Sequence, residues 1–304
     1  WVFAAGNSRS QGDNTNYHNF QNSRYVTTVA ATNSYGQTSK FSTPGASILV
    51  SAFGEGVFTT CLNCAGPNDP NGYGNFSGTS AAAPVVSGVI ALMLEANKKL
   101  GYRDVQNILA YSARQEISEG FKFNGANNWN GGGLHISHDQ GFGLVDAHAA
   151  VRLAESWNRP AQVAANEQMV VRRLNNSGAI PDNDTSGISF STSIERDLDV
   201  EWAEVELDIR HERIADLVVE IVSPSGTVSR LIDRPTTAPS NPEGIYGPYS
   251  GMPDRIIYTT SSSLFRGESS LGNWTLRVSD QNSEISGELR QWGLKLYGQE
   301  ANND

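Results

Sequence analysis

Gly78-Thr79-Ser80-Ala81-Ala82-Ala83-Pro84, followed by the apolar run Val85 to Leu94, is the stretch on which the reading of the fold turns. Gly78 permits a tight turn. The three alanines leave room beside Ser80 for another backbone. Val85, Val86, Val89, Ile90, Leu92, Met93 and Leu94 predict a helix apolar on nearly every side, hence buried in a large core. A serine at the start of that helix lies near the positive end of its dipole. Two readings fit the segment alone: a Thr/Ser N-cap on a buried helix, or a nucleophile exposed on a turn between strand and helix.

The chain has 304 residues, enough for two domains. Hydrophobic residues make up 38% and charged residues 18%, the balance of a globular protein with Gly- and Asn-rich loops. A net charge of −10 with no basic stripe argues against nucleic acid as a partner. The longest apolar run, near 85–94, is shorter than a membrane span requires, so no span is expected. The chain opens on Trp1-Val2-Phe3 as if in mid-strand, so the lack of a leader carries no information. Cys61 and Cys64 allow three readings. One pair cannot complete a structural zinc site, and the following Ala-Gly-Pro-Asn-Asp-Pro-Asn-Gly cannot form the helix of a redox motif. A small loop disulfide in an oxidising compartment is favoured.

Residues 1–6 predict a central parallel strand running into Asn7, and Tyr25–Ala31 and Ile48–Ala52 predict two more strands. A Gly/Asn/Pro-rich loop, 65–78, leads to the serine helix. Helices follow at Tyr102–Ala113 and from about Gly141 to Trp157. Strands alternating with helices over 1–160 predict an α/β doubly wound parallel sheet. From 161 to 304 the composition changes to strands and turns, with strands expected at Met169–Leu174, Val205–Ile209, Leu217–Val222, Thr227–Ile232, Trp274–Val278 and Gly293–Tyr297. That pattern predicts an all-β antiparallel sandwich.

Gly78–Pro84 resembles the serine motif of the subtilisin-like proteases, and Phe3-Ala4-Ala5-Gly6-Asn7-Ser8 resembles the segment that ends in their oxyanion-hole asparagine. His211–Leu217, Val222–Thr227 and Gly272–Leu276 resemble the P domain of the kexin/furin-type proprotein convertases. So do Leu94–Asn97, Arg103–Gln106 and His138–Ala147 in the first half, and the resemblance runs from residue 1 to about 298. It implies a secreted or extracellular serine endopeptidase acting on polypeptide, with a jelly-roll sandwich as its P domain. Ser80 would be the nucleophile and Asn7 the side-chain donor to the oxyanion. Ala4, Ala5, Gly6 and Thr79 would border the substrate.

The family's order along the chain is Asp, His, oxyanion Asn, Ser. The orienting Asp and the base His are therefore expected in an upstream half of the catalytic domain, and His18, His135, His138, His148 and His211 are not assigned as the base. This chain alone is expected to be inactive. The resemblance also implies structural calcium with most ligands upstream of this chain, and Asp13 as one ligand near the S1 pocket; another expected ligand there falls at Thr43, and an ordinary turn role for Asp13 fits the sequence as well. An S1 carboxylate for binding Arg or Lys is replaced by His18, which implies a weakened basic preference. Asp216 reads as structural. The alternative from another class is a pseudoprotease whose β-sandwich serves as a binding scaffold.

Overall fold

The computed structural model describes residues 1–61, 72–116, 120–126, 132–158, 162–235 and 255–301. Cys64 lies outside them. Strands β1 (Val2–Ala4), β2 (Thr27–Thr32) and β3 (Ile48–Phe53) form a parallel sheet in that order, with Val2 opposite Thr27 and Thr28 opposite Ile48. β2 is buried along its whole length, as expected of a parallel strand covered on both faces. Among the described residues β1 pairs with β2 alone. A hairpin of β4 (Val57–Thr60) and β5 (Tyr73–Phe76) follows, so part of the expected loop 65–78 is strand.

The serine helix α1 (Thr79–Ala96) packs on all three strands. It is not buried all round. Val86, Val89 and Met93 face the sheet, while Val85, Leu92 and Leu94 are exposed. With a wholly apolar run, periodicity cannot distinguish the faces; the packing does. By length and composition this helix could also cross a membrane, at 18 residues and mean hydropathy 1.5, which corrects the expectation that no segment is long enough. Helix α2 (Tyr102–Ser112) starts on a carboxylate: Asp104 accepts the Gly101 N–H at 2.7 Å and the Gln162 N–H at 2.8 Å. A short β6 (Lys122–Phe123) pairs with β7 (His135–Ile136). Helix α3 (Ala147–Ser156), capped by Asp146, begins later than expected and touches both α1 and α2, which gives one connected helical layer.

The second half is antiparallel throughout. One sheet comprises β8 (Gln168–Leu174), β9 (Gly178–Ile180), β11 (Leu198–Arg210), β14 (Arg255–Ser262) and β16 (Gly287–Glu300), in the order β14-β11-β16-β8 with β9 also on β16. The other is β10 (Ile188–Ile194), β12 (Leu217–Val222), β13 (Val228–Asp233) and β15 (Gly272–Asp280), in the order β10-β15-β12-β13. Alternate residues of β12 (Leu217, Val219 and Ile221) are fully buried, the period-two pattern that marks one face as core. Trp274 and Phe265 meet edge-to-face in this core at 4.9 Å.

The halves meet through buried polar groups. Arg103 of α2 donates to both Glu201 oxygens, at 2.5 and 3.0 Å, and to the Gly298 carbonyl at 2.9 Å. Glu201 also accepts from Asn107, which in turn accepts from fully buried Arg266; burial pushes that guanidinium below its ordinary value. Asn16, fully buried, donates to Thr260 and to the Ser261 carbonyl and accepts the Ala46 N–H.

Breaking the central pair should be costly. Glu201→Ala strands a buried guanidinium, and we expect a loss of about 3–5 kcal/mol in urea unfolding. Arg103→Met combined with Glu201→Leu should cost less than Glu201→Ala alone, since the Arg103 guanidinium is then not left buried without its main carboxylate. A loss below about 1 kcal/mol for Glu201→Ala would contradict this account.

Candidate active site

β1 runs into Asn7 and α1 begins at Thr79, so two segments 72 residues apart meet. The Thr79 hydroxyl is fully buried between them. It accepts the Gly6 N–H at 3.1 Å and donates to Asn7 Oδ1 at 3.0 Å. The Thr79 N–H, a first-turn donor with no helical acceptor, gives Asn7 Oδ1 a second bond at 2.9 Å. With its oxygen bonded twice, the Asn7 carboxamide presents its Nδ2 hydrogens, which have no partner among the described residues.

Gly78 has φ +143°, a conformation that favours glycine. A Cβ there would stand 3.4 Å from Asn7 Nδ2 and 3.7 Å from the Ser80 nitrogen. Glycine therefore keeps open a space bordered by both donor nitrogens. Ser80, the second residue of α1, is exposed, and neither its Oγ nor its N–H has a partner among the described residues. The arrangement joins a free hydroxyl to two unpaired donors at a helix N-terminus, where negative charge is stabilised.

The sequence-derived site residues divide. Ser80 and Asn7 come together as expected. The Thr79 side chain is fully buried and holds Asn7. Ala5 also points inward, fully buried with Ala30 and Ile48, because its place in the extended segment puts it on the core face. Ala4 is half-buried and its carbonyl accepts Gln21 Nε2 at 3.1 Å. Gly6, at φ +112°, has no space for a Cβ, which would meet Thr43 Oγ1 at 2.9 Å.

His18 Nε2 lies 2.8 and 3.0 Å from the two oxygens of Asp13, and Asp13 Oδ2 lies 3.8 Å from the Cβ position of Gly6. A carboxylate thus remains beside the imidazole. The donor set does not fit calcium, which takes six to eight oxygens. Asp13 is a single carboxylate whose oxygens already face His18 and the Asn14 N–H, and Thr43 Oγ1 accepts the Ser8 N–H.

No histidine bonds Ser80. His148 is exposed on α3, His135 packs edge-on to Phe121, and His138 accepts the Arg230 N–H at 2.8 Å. His211, Asp216 and Asp280 form a buried cluster that the sequence reading did not assemble, although His211 and Asp216 lie in one quoted stretch. Its atoms are already bonded. Arg213 and Asn282 donate to Asp216, while His211 faces Asp280, whose carboxyl burial raises. The cluster is a polar core. Cys61 is disulfide-bonded.

Residues 1–143 match the subtilase family, and residues 200–296 match the proprotein convertase P-domain. Over 98% of its length the chain is 32% identical to proprotein convertase subtilisin/kexin type 6 of Rattus norvegicus, covering 31% of that protein. It is 30% identical to kexin of Saccharomyces cerevisiae over 98% of its length, covering 35% of kexin. The chain thus spans about a third of the length of these curated relatives. The crystal structure of Aeromonas sobria serine protease with its chaperone superposes on 99% of the chain and 64% of that chain, at TM-score 0.84 and 25% identity.

The His138 contact between the halves carries a pH dependence. Burial, with Arg230 beside it, pushes this imidazole down to about 4 from the ordinary 6.5. The unfolded chain takes up the proton first, so stability present above about pH 6.5 is lost as pH falls through about 4. His138→Gln keeps an acceptor that does not titrate. Between pH 7 and 4 its Tm should fall by a few degrees less than that of the unaltered protein. Parallel Tm profiles would exclude His138 as the titrating group.

Proposed function

Because residues 1–143 belong to the subtilase family and residues 200–296 are a proprotein convertase P-domain, we propose that Ser80 and Asn7 serve a kexin-like serine endopeptidase. Ser80 Oγ attacks the scissile carbonyl and gives its proton to a histidine supplied by the upstream half of the catalytic domain. The carbonyl oxygen, now negative, takes bonds from Asn7 Nδ2 and the Ser80 N–H. Collapse breaks the C–N bond as the histidine passes its proton to the departing amine, and leaves an acyl-enzyme, which water hydrolyses. The observation that carries this reading is the space kept clear by Gly78 beside both donor nitrogens. The exposed Val85, Leu92 and Leu94 on α1 offer the upstream half an apolar surface to cover. The P-domain, a jelly-roll sandwich in this reading, stabilises the whole. The disulfide at Cys61 supports a secretory or extracellular location.

The Asp13–His18 pair beside Gly6 supports a retained but weakened preference for Arg or Lys at the residue before the scissile bond. Asp13 supplies charge that a buried cation needs, and His18 competes for it.

The tests use a protein carrying these residues together with the upstream half. Ser80→Ala should abolish peptide cleavage; retained turnover would refute the assignment. Asn7→Ala should lower kcat by about 10²–10³ with little change in KM, a magnitude known from subtilisin. An unchanged kcat would make Asn7 merely structural. His18→Asp should raise the kcat/KM ratio of Arg over Leu peptides. No change in that ratio would place His18 outside the pocket.

A further inference from the structure

β4 and β5 form a ribbon that pairs with no other strand among the described residues. Its base is fixed to the turn that carries Ser80. The Gly54 carbonyl accepts the Gly78 N–H at 2.8 Å, and Ser77 Oγ accepts the Gly56 N–H at 2.9 Å. Gly54 sits so close that a Cβ on it would press on Ala31 and Ala82. At the far end Cys61 N–H bonds the Gly72 carbonyl at 2.7 Å.

The register sets Phe58 opposite Asn75 and Thr60 opposite Tyr73, so Phe58 and Tyr73 share a face. They stack at 5.8 Å with 19° between the rings, yet remain 72% and 54% exposed. Neither strand carries a Lys, Arg, Asp or Glu. Free strand edges are ordinarily guarded by charge, proline or a cover. Among the described residues both edges are unguarded and one face is aromatic, on a ribbon whose base is bonded to the Gly78 turn before Ser80.

We infer that this ribbon is a docking edge for the substrate polypeptide, taking an extended apolar or aromatic segment some residues from the scissile bond. The inference rests on the endopeptidase reading. Such a segment adds a strand through main-chain hydrogen bonds and lays a large side chain on the Phe58–Tyr73 stack. Asn75, opposite Phe58, is five residues before Ser80. At about 3.3 Å per extended residue, Asn75 lies at most about 17 Å from Ser80 and Phe58 about 5 Å further across the strand pair, so the stack meets a residue within about seven positions of the bond.

The test is binding to the full-length protein carrying Ser80→Ala, which removes cleavage from the readout. Three synthetic peptides share one short sequence around the bond. One is only that core, and the others add six residues rich in Phe and Leu at one end or the other. One extended peptide should bind about tenfold more tightly than the core. Phe58→Ser with Tyr73→Ser should remove that gain, and Phe58→Tyr should retain most of it. Equal affinity of all three peptides overturns the inference, and that comparison needs no ribbon variant to fold. A gain that survives the double substitution also overturns it, as does equal weakening of core and extended peptides. Concentration-dependent dimerisation abolished by Phe58→Ser would assign the ribbon to a second copy of the chain instead. Cleavage that persists with Ser80→Ala refutes the nucleophile assignment, whereas loss of the affinity gain refutes only the ribbon.

Discussion

One buried hydroxyl holds the site together. Thr79 Oγ1 accepts from the backbone of the β1 segment and donates to the side chain that follows it, while belonging to the first turn of α1. An unsatisfied hydroxyl at full burial would cost about 1–3 kcal/mol, so this geometry is strongly preferred over alternatives in which either bond is lost. Its consequence is chemical. Holding the oxygen of Asn7 fixes where its nitrogen lies, and the two glycines at φ +112° and +143° let both backbones approach. Donors already aimed need no reorganisation when charge develops, which is where most of such a site's stabilisation arises.

The second half of the chain reaches this site through a loop. Asn16 is anchored on the P-domain by Thr260 and the Ser261 carbonyl, and its own carbonyl accepts the Tyr258 hydroxyl at 2.6 Å. Asp13 and His18 sit two or three residues to either side. β14 therefore fixes the loop bearing the Asp13 carboxylate near Gly6. The interface is rich in charge, with Arg103, Arg266 and Glu201 all buried. Charged groups without water tolerate few arrangements, so the interface fixes one docking geometry more firmly than it adds stability.

What could be read from sequence was local. Ser80, Asn7 and α1 followed from contiguous stretches whose chemistry lies in neighbouring residues. β12 was legible as a short apolar, β-branched run bounded by turn residues. The misreadings share a cause: they depend on which way a side chain points, and composition does not say. Thr79 and Ala5 belong to the right motifs but face the core. The exposed side of α1 was hidden by uniform hydrophobicity. β4–β5 was lost in Gly, Asn and Pro, where turn chemistry outweighs a four-residue strand. β11 runs through Glu201, Glu204 and Glu206, charges that reduce strand propensity yet are paired in place with Arg103, Arg24 and Lys295.

The two apolar exposures of the first half differ in kind. Val85 and Leu92 are seven residues apart on α1, two turns along one exposed stripe that flanks the face contacting the sheet. A stripe at helical spacing is the surface that another layer of a fold covers. The ribbon instead rises from the carboxyl end of β3, beside the carboxyl end of β1 and the N-terminus of α1. In sheets of parallel strands, that end is where loops and helix N-termini leave backbone donors free, and where ligands bind.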